Sequence, residues 1–325
     1  MKILVTGGAG YIGSHTVKEL LREGFGVIIF DNFSSGKEEL IVGGQVIRGD
    51  LMDKQAIKKV FLDENIGAVI HFASLIQVQE SYSNPQKYYT HNILSSLNLL
   101  EAMLEAGVKN IIFSSSAAVY GVPEKTPIPE SHPLEPVNPY GQTKYFVEKI
   151  LQDYDRAYGI RFISLRYFNA AGADPEGQLG EMHDPETHLI PNILLHLLDE
   201  KRNFDLFGTD FPTPDGTAVR DFIHVTDLAK AHVLALKSLS ANSKSNFLNL
   251  GSNQGYSVLE IIKKTEEVTG EKIHYRKKPR RQGDVSVLLA SKQKAEHFLG
   301  WDSQFSDIET IIKTAWNWHK KRGRF

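Results

Sequence analysis

Two residues four positions apart, Tyr140 and Lys144, are the first candidates for chemistry in this sequence of 325 residues. On a helix, this spacing places both side chains on one face, with their β-carbons about 5–6 Å apart. A free phenol has a pKa of about 10 and is a poor base at neutral pH, but a neighbouring cation stabilises its ionised form. In isolation, such a pair is more often part of an exposed helix face. Its meaning depends on the surrounding elements.

Short apolar runs alternate with amphipathic helical stretches over the first half of the chain. The runs that we predict as strands are residues 2–6, 26–30, 45–49, 68–72, 110–114 and 161–166. Nearly continuous apolar strands are typical of parallel sheets that are covered on both faces. The intervening helices then form right-handed crossovers. The sequence therefore predicts an α/β fold with a Rossmann-type doubly wound parallel sheet.

A glycine-rich turn, Gly7 to Gly13, follows the first predicted strand and opens a helix. The spacing Gly8-x-Gly10-x-x-Gly13 matches the dinucleotide fingerprint, in which glycines permit a tight turn and close approach of the backbone to a pyrophosphate. The helix N-terminus offers free N–H groups to the phosphates. Asp31 ends the second strand, where a carboxylate accepts both ribose hydroxyls and repels a 2′-phosphate. We therefore expect NAD rather than NADP as the cofactor.

Ser116 ends the fifth predicted strand, in the segment FSSSAAVYG. A hydroxyl at the C-terminal edge of a parallel strand faces the crevice in which such sheets bind ligands. We expect Ser116 to hydrogen-bond the reacting substrate hydroxyl and to share its proton with Tyr140. Lys144 and the positive charge of oxidised nicotinamide are expected to move the pKa of Tyr140 towards neutrality.

The strand and helix rhythm ends near residue 168, where a long loop rich in Gly, Pro and acidic residues begins. We expect residues 1–168 to form the NAD-binding domain and residues 169–325 to form a smaller α/β lobe that binds the substrate. Part of residues 219–251 has a strand-then-helix pattern, which predicts that it rejoins the first domain.

Composition argues against several function classes. The net charge of −2 disfavours a nucleic-acid or membrane-surface binder, since both require a basic excess. The chain has no cysteine, which excludes thiolate chemistry. No apolar run approaches the roughly 18 residues of a membrane span, and we expect a cytoplasmic protein. His183 with His188, and His224 with His232, lack supporting ligand spacing, so no metal site is predicted.

Longer motifs connect these residues to a known family. The motifs are TGGAGYIGSH, DNFSSGK, IHFAS, NPYGQTK, LRYFNAAGA, DGTAVRDFIHVTDLA, NLGSNQGYSV and RRQGD. Together they resemble the UDP-glucose 4-epimerases of the extended short-chain dehydrogenase/reductase family, over essentially the whole chain. The resemblance implies an NAD-dependent isomerase that interconverts UDP-glucose and UDP-galactose in galactose metabolism, acting as a homodimer.

Cofactor contacts are expected from a defined set of residues. The set is Gly7, Gly10, Tyr11, Ile12, Gly13, Asp31, Asn32, Ser35, Asp50, Leu51, Phe72, Ala73, Asn92, Tyr140, Lys144 and Phe168. Asp50 and Leu51 would lie beside the adenine by topology, with a helix N-cap or a loop acid as the alternative role for Asp50. The resemblance implies that Phe72 and Ala73 also lie on the adenine side and that Asn92 neighbours the pyrophosphate.

The resemblance likewise implies contacts with the UDP-sugar. The residues are Ser116, Asn169, Arg220, Arg281, Asp284 and Leu288. Asn169 would contact the diphosphate. Arg220 and Arg281 with Asp284 would clamp the diphosphate and the uridine ribose, because guanidinium groups match phosphate oxygens and a carboxylate accepts hydroxyls. Arg280 lies beside Arg281 in the sequence and either takes part in this clamp or is only a surface residue.

Three positions depart from the family pattern. Ile76 stands where a lysine often helps to hold NAD, and Ala118 stands where a threonine is frequent beside the active serine. Leu288 occupies the position whose bulk is thought to limit the C2 substituent of the sugar. Because leucine is smaller than the tyrosine of hexose-only members, we expect N-acetylated sugars to fit as well.

The mechanism that the resemblance implies is a reversible oxidation at C4. Tyr140 removes the 4-hydroxyl proton, C4 gives its hydride to NAD, and the 4-keto sugar turns over and takes the hydride back on its other face. A nucleotide-sugar 4,6-dehydratase is one alternative, but its acid and base directly follow the active serine, where this chain has Ala117 and Ala118. A non-catalytic NAD-binding sensor or scaffold is the other, but such proteins typically lose the tyrosine or the lysine.

Overall fold

The elements below come from a computed structural model that describes residues 1–199 and 201–323. The strands are β1 (Lys2–Thr6), β2 (Gly26–Asp31), β3 (Gln45–Arg48), β4 (Ile66–His71), β5 (Asn110–Ser116), β6 (Arg161–Tyr167), β7 (Asn169–Ala171), β8 (Asp205–Phe207), β9 (Val219–His224), β10 (Asn246–Leu250), β11 (Gly255–Ser257), β12 (Arg276–Lys278) and β13 (Val287–Leu288). The α-helices are α1 (Tyr11–Arg22), α2 (Lys54–Asp63), α3 (Val78–Ser83), α4 (Pro85–Tyr89), α5 (Ser95–Glu105), α6 (Pro139–Tyr158), α7 (Leu189–Leu198), α8 (Val225–Ser240), α9 (Val258–Thr269), α10 (Gln293–Leu299) and α11 (Ile308–Arg322).

Within the described ranges, seven parallel strands form the main sheet, in the order β10-β6-β5-β4-β1-β2-β3. Helices cover both faces: α1 and α8 supply one apolar cluster, and α2, α5 and α6 supply the other. The strand order reverses between β1 and β4, which opens a crevice at their C-terminal ends. The expected doubly wound Rossmann-type sheet is thereby confirmed.

All six predicted strands are present, with ends that shift by up to two residues. β5 extends to Ser116 because its polar end pairs with β6, and this pairing has no apolar signature in the sequence. Residues 219–251 divide between two sheets. β10 pairs with β6 in the main sheet, whereas β9 lies in a second sheet.

The second sheet is small and is built around β9, which pairs with antiparallel β11, parallel β13 and parallel β7. Helices α7, α9 and α11 pack around it and share one apolar core. β7 begins two residues after β6 ends, so the two sheets approach each other at the C-terminal edge of the main sheet. In the described part of the chain, we find no helix whose length and apolarity would let it cross a membrane.

Candidate active site

The glycine turn after β1 is closed so tightly that two of its glycines have no room for a side chain. A β-carbon on Gly13 would lie 2.2 Å from the carbonyl oxygen of Gly7, and one on Gly7 would lie 2.6 Å from the backbone nitrogen of Ala73. Gly7 also has a φ of 72°, in the left-handed region that favours glycine. The turn therefore brings the start of α1 to the switch point between β1 and β4.

The start of α1 suits a pyrophosphate. Its N-cap is Gly10, which makes no side-chain cap, and its first turn contains no acidic residue. The backbone N–H groups and the positive end of the helix dipole are thus directed at the crevice without a competing carboxylate. Tyr11 and Ile12 begin the helix, and the Tyr11 hydroxyl donates a hydrogen bond to the carbonyl of Gly172, 2.6 Å away.

Asp31 lies at the end of β2, as the sequence predicts. One carboxylate oxygen accepts the N–H of Ala9 and the other accepts the N–H of Phe33, each at 2.9 Å. Burial raises the pKa of Asp31, and these two hydrogen bonds oppose the rise. Each oxygen keeps a lone pair for a ribose hydroxyl. Together with the glycine turn, this carboxylate fits the adenosine half of NAD.

One cation near Asp31 was missed in the sequence, where no arginine lies beside it. Arg48 is the partner of Asp31 in the pairing of β3 with β2. Its guanidinium stacks over the ring of Phe33 at 4.6 Å and lies 3.4 Å from a carboxylate oxygen of Glu38. Arg48 is therefore engaged by protein groups, and the contact of Asp31 with the ribose stays a prediction.

Asp50 and Leu51, which are expected to lie beside the adenine, follow the end of β3. Asp50 accepts hydrogen bonds from the side chain of Asn32 at 2.9 Å and from the N–H of Met52 at 2.8 Å. The N-cap of α2 is Asp53, so Asp50 is not a helix cap. Its contacts with Asn32 and Met52 fit the other alternative, an acid that holds the loop. Leu51 is buried in the core, and Ser35 is exposed in the loop after β2.

The segment after β4 is fixed by backbone and amide hydrogen bonds. The N–H groups of Phe72 and Ala73 both donate to the carbonyl of Thr6, at 2.9 and 3.1 Å. The Asn92 amide accepts the N–H of Leu75 at 2.8 Å and donates to the Thr143 hydroxyl at 3.0 Å. Asn92, expected beside the pyrophosphate, thus ties the crevice floor to α6.

Tyr140 and Lys144 occupy the first turns of α6 and are buried rather than exposed. Pro139 begins the helix, and the Asn138 side chain caps it by accepting the N–H of Gly141 at 2.7 Å. Tyr140 is 9% exposed and Lys144 is 3% exposed. The two groups therefore do not form the solvated helix face that is the usual fate of this spacing.

The Lys144 ammonium donates to the carbonyl of Ser114 at 2.7 Å and lies 5.8 Å from the centre of the Tyr140 ring. At the end of β5, the Ser116 hydroxyl accepts the backbone N–H of Ala118 at 3.1 Å. This bond does not depend on the side chain at position 118. β5 and α6 thus bring the hydroxyl of Ser116, the phenol of Tyr140 and the amine of Lys144 together at the edge of the sheet.

Burial shifts the pKa values of Tyr140 and Lys144 in opposite directions. Burial raises the pKa of Tyr140 to about 12, and the nearby hydroxyl of Ser116 lowers it by less. Burial also lowers the pKa of Lys144 to about 7, against the opposing charge of Glu148. The expected shift of the phenol pKa towards neutrality also depends on the positive charge of oxidised nicotinamide, so it stays a prediction.

A buried ion pair behind Lys144 was missed in the sequence. Glu148, one turn further along α6, accepts Nε and Nη2 of Arg166 at 2.9 and 2.7 Å. It also accepts the hydroxyls of Ser115 at 2.7 Å and Ser164 at 2.8 Å. The signal was an arginine inside the mostly apolar run of β6 and an acid four residues after Lys144. This network locks α6 to β5 and β6.

The residues expected to bind UDP lie in the second lobe. The Asn169 amide donates to the carbonyl of Asp221 at 3.0 Å, which joins β7 to β9. Burial lowers the pKa of Arg220, while Asp284 opposes that shift and Arg281 adds to it. Nε of Arg281 lies 3.8 Å from Asp284, so the three charged groups are neighbours.

The side chain of Arg280 contacts other residues than Arg220, Arg281 and Asp284. Nε of Arg280 donates to Asp210 at 2.8 Å, and the guanidinium stacks over Phe211 at 4.1 Å on an exposed surface. These contacts give it the surface role considered as its alternative. Arg281 stacks instead over Phe207, 4.6 Å from the ring centre.

Leu288 faces an apolar cluster at the junction of the lobes. It is the pairing partner of Arg220 across β13 and β9. Phe168, which links β6 to β7, packs in the same cluster with Tyr120. Ile76, where the family often has a lysine, is 41% exposed.

The histidines differ in their surroundings. His224 and His232 are fully buried, and His232 packs against the ring of Phe72 at 4.7 Å. His183 and His188 instead lie with Glu181 and Glu186, and the four side chains each bring one ligand atom within 4.8 Å of the others. The sequence spacing did not predict this grouping.

The parallel sheet, the glycine turn with Asp31, and the buried group of Ser116, Tyr140 and Lys144 together define an enzyme of the short-chain dehydrogenase/reductase type. Comparison with known proteins narrows this class. Residues 3–251 match the NAD dependent epimerase/dehydratase family. This chain belongs to that family.

Individual relatives cover nearly the whole chain. It is 48% identical to a UDP-glucose 4-epimerase of Lacticaseibacillus casei over 321 residues, 98% of this chain and 97% of the relative. Among solved structures, it is similar to the UDP-glucose 4-epimerase of Brucella ovis in complex with NAD, with a TM-score of 0.94, 43% identity and 97% coverage of each chain. The Bifidobacterium longum enzyme in complex with NAD+ and UDP gives a TM-score of 0.95, 41% identity and 100% coverage of each chain.

Proposed function

We propose that the protein is an NAD-dependent isomerase with UDP-glucose 4-epimerase activity, which interconverts UDP-glucose and UDP-galactose. The observation that carries the proposal is the burial of Tyr140 and Lys144 beside Ser116 at the crevice edge of the main sheet. The relatives support the same reaction, since those described above are UDP-glucose 4-epimerases over nearly their full length.

NAD is held by the first domain. The N–H groups at the start of α1 bind the pyrophosphate, and Asp31 accepts the adenosine ribose hydroxyls. Lys144, anchored by the Ser114 carbonyl, is placed to hold the nicotinamide ribose. The bound cofactor supplies a hydride acceptor and donor for the sugar C4.

Tyr140 is the general acid and base for the sugar 4-hydroxyl. At a pKa of about 12 its phenol is protonated at neutral pH and can return a proton to the sugar oxygen. Removal of that proton requires a positive field, which Lys144 supplies in its ammonium form. Ser116 hydrogen-bonds the same sugar oxygen and keeps it in line with the phenol.

UDP binding is assigned to Arg220, Arg281 and Asp284, with Asn169 beside the diphosphate. Two guanidinium groups neutralise the diphosphate, and the carboxylate accepts uridine ribose hydroxyls. Epimerisation requires the sugar ring to present both faces of C4, so the nucleotide must be held firmly while the sugar is held loosely. The distribution of charge fits this requirement. The two cations and the acid that would hold the nucleotide are neighbours, whereas Leu288, expected beside the sugar, is uncharged and packs in an apolar cluster.

Three finer features belong to this proposal. N-acetylated UDP-sugars are substrates, because Leu288 is smaller than a tyrosine. The protein forms a homodimer, and Leu94 and Phe146, each 41% exposed, offer apolar surface for a second copy. Light scattering of the purified protein tests the dimer, and cell fractionation tests the expected cytoplasmic location.

The activity is tested by incubating the purified protein with UDP-galactose without added NAD. We expect UDP-glucose to appear, detected by chromatography after the reaction is stopped. A persistent 4-keto-6-deoxy product would show that the protein is a 4,6-dehydratase instead. No turnover with or without added NAD would indicate a non-catalytic NAD-binding protein.

A further inference from the structure

The strand that carries Leu288 continues into a segment that joins the two lobes. We call residues 287–291 the wall segment, because Leu288 is expected to limit the sugar pocket. Its first two residues, Val287 and Leu288, pair with β9 of the second lobe. Further on, Ala290 forms a parallel bridge with Ile128, in the connection between β5 and α6 of the first domain. The position of the wall segment therefore depends on how each of its ends is held.

A buried carboxylate holds the wall segment to the second lobe. Oδ2 of Asp221, on β9, accepts the backbone N–H of Ala290 at 3.1 Å. Oδ1 of the same carboxylate accepts the N–H and the hydroxyl of Ser252, each at 2.7 Å. Asp221 is fully buried, so bulk water does not compete for these donors. On this side, the wall segment is fixed by strand pairing and by one carboxylate.

The other end of the wall segment is held by main-chain hydrogen bonds to Ile128. The Ile128 N–H donates to the carbonyl of Leu289 at 2.7 Å, and the Ser291 N–H donates to the carbonyl of Ile128 at 3.0 Å. Ile128 lies in a connection rather than in a strand of the sheet, so other groups must fix its position. Asn249, on β10 of the main sheet, does this, because its Nδ2 donates to the same carbonyl of Ile128 at 2.8 Å.

The orientation of Asn249 follows from its two neighbours. The carbonyl of Ile128 can only accept, so the amide nitrogen of Asn249 faces it and the amide oxygen faces the other way. That oxygen accepts the Tyr120 hydroxyl at 2.7 Å, and the hydroxyl accepts Nη1 of Arg166 at 3.0 Å. Asn249 and Tyr120 are both fully buried. Removal of the Tyr120 hydroxyl would therefore leave one buried acceptor and one buried donor without this partner.

We propose that Tyr120 and Asn249 are positioning residues for the sugar pocket, which hold the wall segment, and with it Leu288, at a fixed distance from the main sheet. The proposal rests on the proposed UDP-sugar epimerase function and adds residues that act behind the one expected to face the sugar. The Tyr120 ring also packs in the same apolar cluster as Leu288. A fully satisfied buried polar network favours one arrangement, since a displacement leaves a group unpaired. Leu288 therefore limits the C2 substituent only while this network keeps the wall segment in place.

Hydrogen exchange of the full-length protein, measured by mass spectrometry of overlapping peptides, tests whether the wall segment is held. The amides of Ala290 and Ser291 donate to buried acceptors and should exchange at least about tenfold more slowly than those of the exposed residues 280–283. Tyr120→Phe keeps the ring and should accelerate exchange of these two amides at least about tenfold. Tyr145→Phe, a tyrosine of the same apolar cluster, should exchange like the wild type. Equal exchange of the two segments in the wild type overturns the proposal.

Substrate selectivity tests whether the position of the wall segment matters. In Tyr120→Phe, kcat/KM for UDP-N-acetylglucosamine relative to UDP-glucose should rise at least about threefold, because a released wall admits a larger C2 substituent. The Kd of UDP and the ratio in Tyr145→Phe should match the wild type. An unchanged or lower ratio in Tyr120→Phe overturns the proposal, whereas a wild type without turnover of UDP-glucose overturns the proposed function instead. Should Tyr120→Phe not fold, the exchange of the wild type still decides.

Discussion

The Lys144 ammonium donates a hydrogen bond to the backbone carbonyl of Ser114, 2.7 Å away, and this bond joins the start of α6 to the strand that ends in Ser116. A carbonyl acceptor leaves the amine with hydrogen-bonding capacity for a ligand, whereas a carboxylate partner would neutralise its charge. Glu148, whose charge acts on Lys144, is already engaged by Arg166. Among the described residues, the site therefore keeps a buried amine beside its phenol without an acid paired to it.

Tyr140→Phe removes the phenol hydroxyl and keeps the ring. We expect turnover of UDP-galactose to fall by about 10³-fold, since positioned proton transfer contributes roughly 10²–10⁴ to the rate. Binding of UDP, measured by calorimetry, should be unchanged. Tyr154→Phe, further along the same helix, is the control and should retain full activity. Normal turnover in Tyr140→Phe would refute the assignment of this residue.

Lys144→Met tests the shifted pKa of the buried amine. Because the folded state lowers this pKa from 10.5 to about 7, the unfolded chain binds the proton more tightly between these values. The wild type should therefore gain stability as the pH rises through this window, by up to about 1.4 kcal/mol per pH unit from this group. The variant should lack that gain.

The measurement is urea unfolding of the nucleotide-free protein from about pH 7 to about pH 9.5, where the stability of Lys144→Met relative to the wild type should fall steadily. Lys149→Met, an exposed lysine on the same helix, should follow the wild type at every pH. Parallel curves for Lys144→Met and the wild type would show that Lys144 titrates normally.

Glu148→Gln leaves Arg166 buried without its counter-charge. The two side chains are 1% and 3% exposed, and breaking a buried ion pair costs about 3–5 kcal/mol of unfolding free energy. Chemical denaturation of the variant and the wild type measures this loss. Asp153→Asn breaks an exposed ion pair with Arg156 on the same helix and should cost less than about 1 kcal/mol. Equal losses in the two variants would contradict the role of the network.

Gly13→Ala places a methyl group 2.2 Å from the carbonyl oxygen of Gly7. Either the turn or α1 must move, so we expect the NAD content of the purified protein to fall at least about tenfold. Chromatography of nucleotide released by denaturation measures this content. Gly24→Ala has open space around its β-carbon and incurs only the strain of a φ of 78°. It should lower stability slightly and leave NAD content intact; equal NAD loss would point to general destabilisation.

Leu288→Tyr tests the sugar pocket. The wild type should convert UDP-N-acetylglucosamine measurably, and the larger ring should reduce that activity at least about tenfold through steric exclusion. Conversion of UDP-glucose should change little, because a hydroxyl at C2 needs less room. Side-by-side assays of the two substrate pairs measure both effects. A wild type that is inactive on the N-acetylated sugar but active on UDP-glucose would remove Leu288 from this role.

Local patterns in the sequence determined much of this protein. Five strands of the main sheet follow from apolar runs, because a strand buried on both faces must be apolar throughout. The sixth, β3, is a largely exposed edge strand that its short apolar run also predicts. The glycine turn and Asp31 are equally local, since a turn and the residue that ends a strand depend on neighbours in the chain. The spacing of Tyr140 and Lys144 fixed their shared helix face for the same reason.

Tertiary structure alone decided the groups that meet across the chain. Arg166 reaches Glu148 from another element, and Arg48 lies opposite Asp31 only because β3 pairs with β2. The grouping of Glu181, His183, Glu186 and His188 likewise depends on how residues 181–188 fold back on themselves. The pKa values of Tyr140 and Lys144 were set by the depth of burial, which removes water from both groups and which residue spacing does not encode.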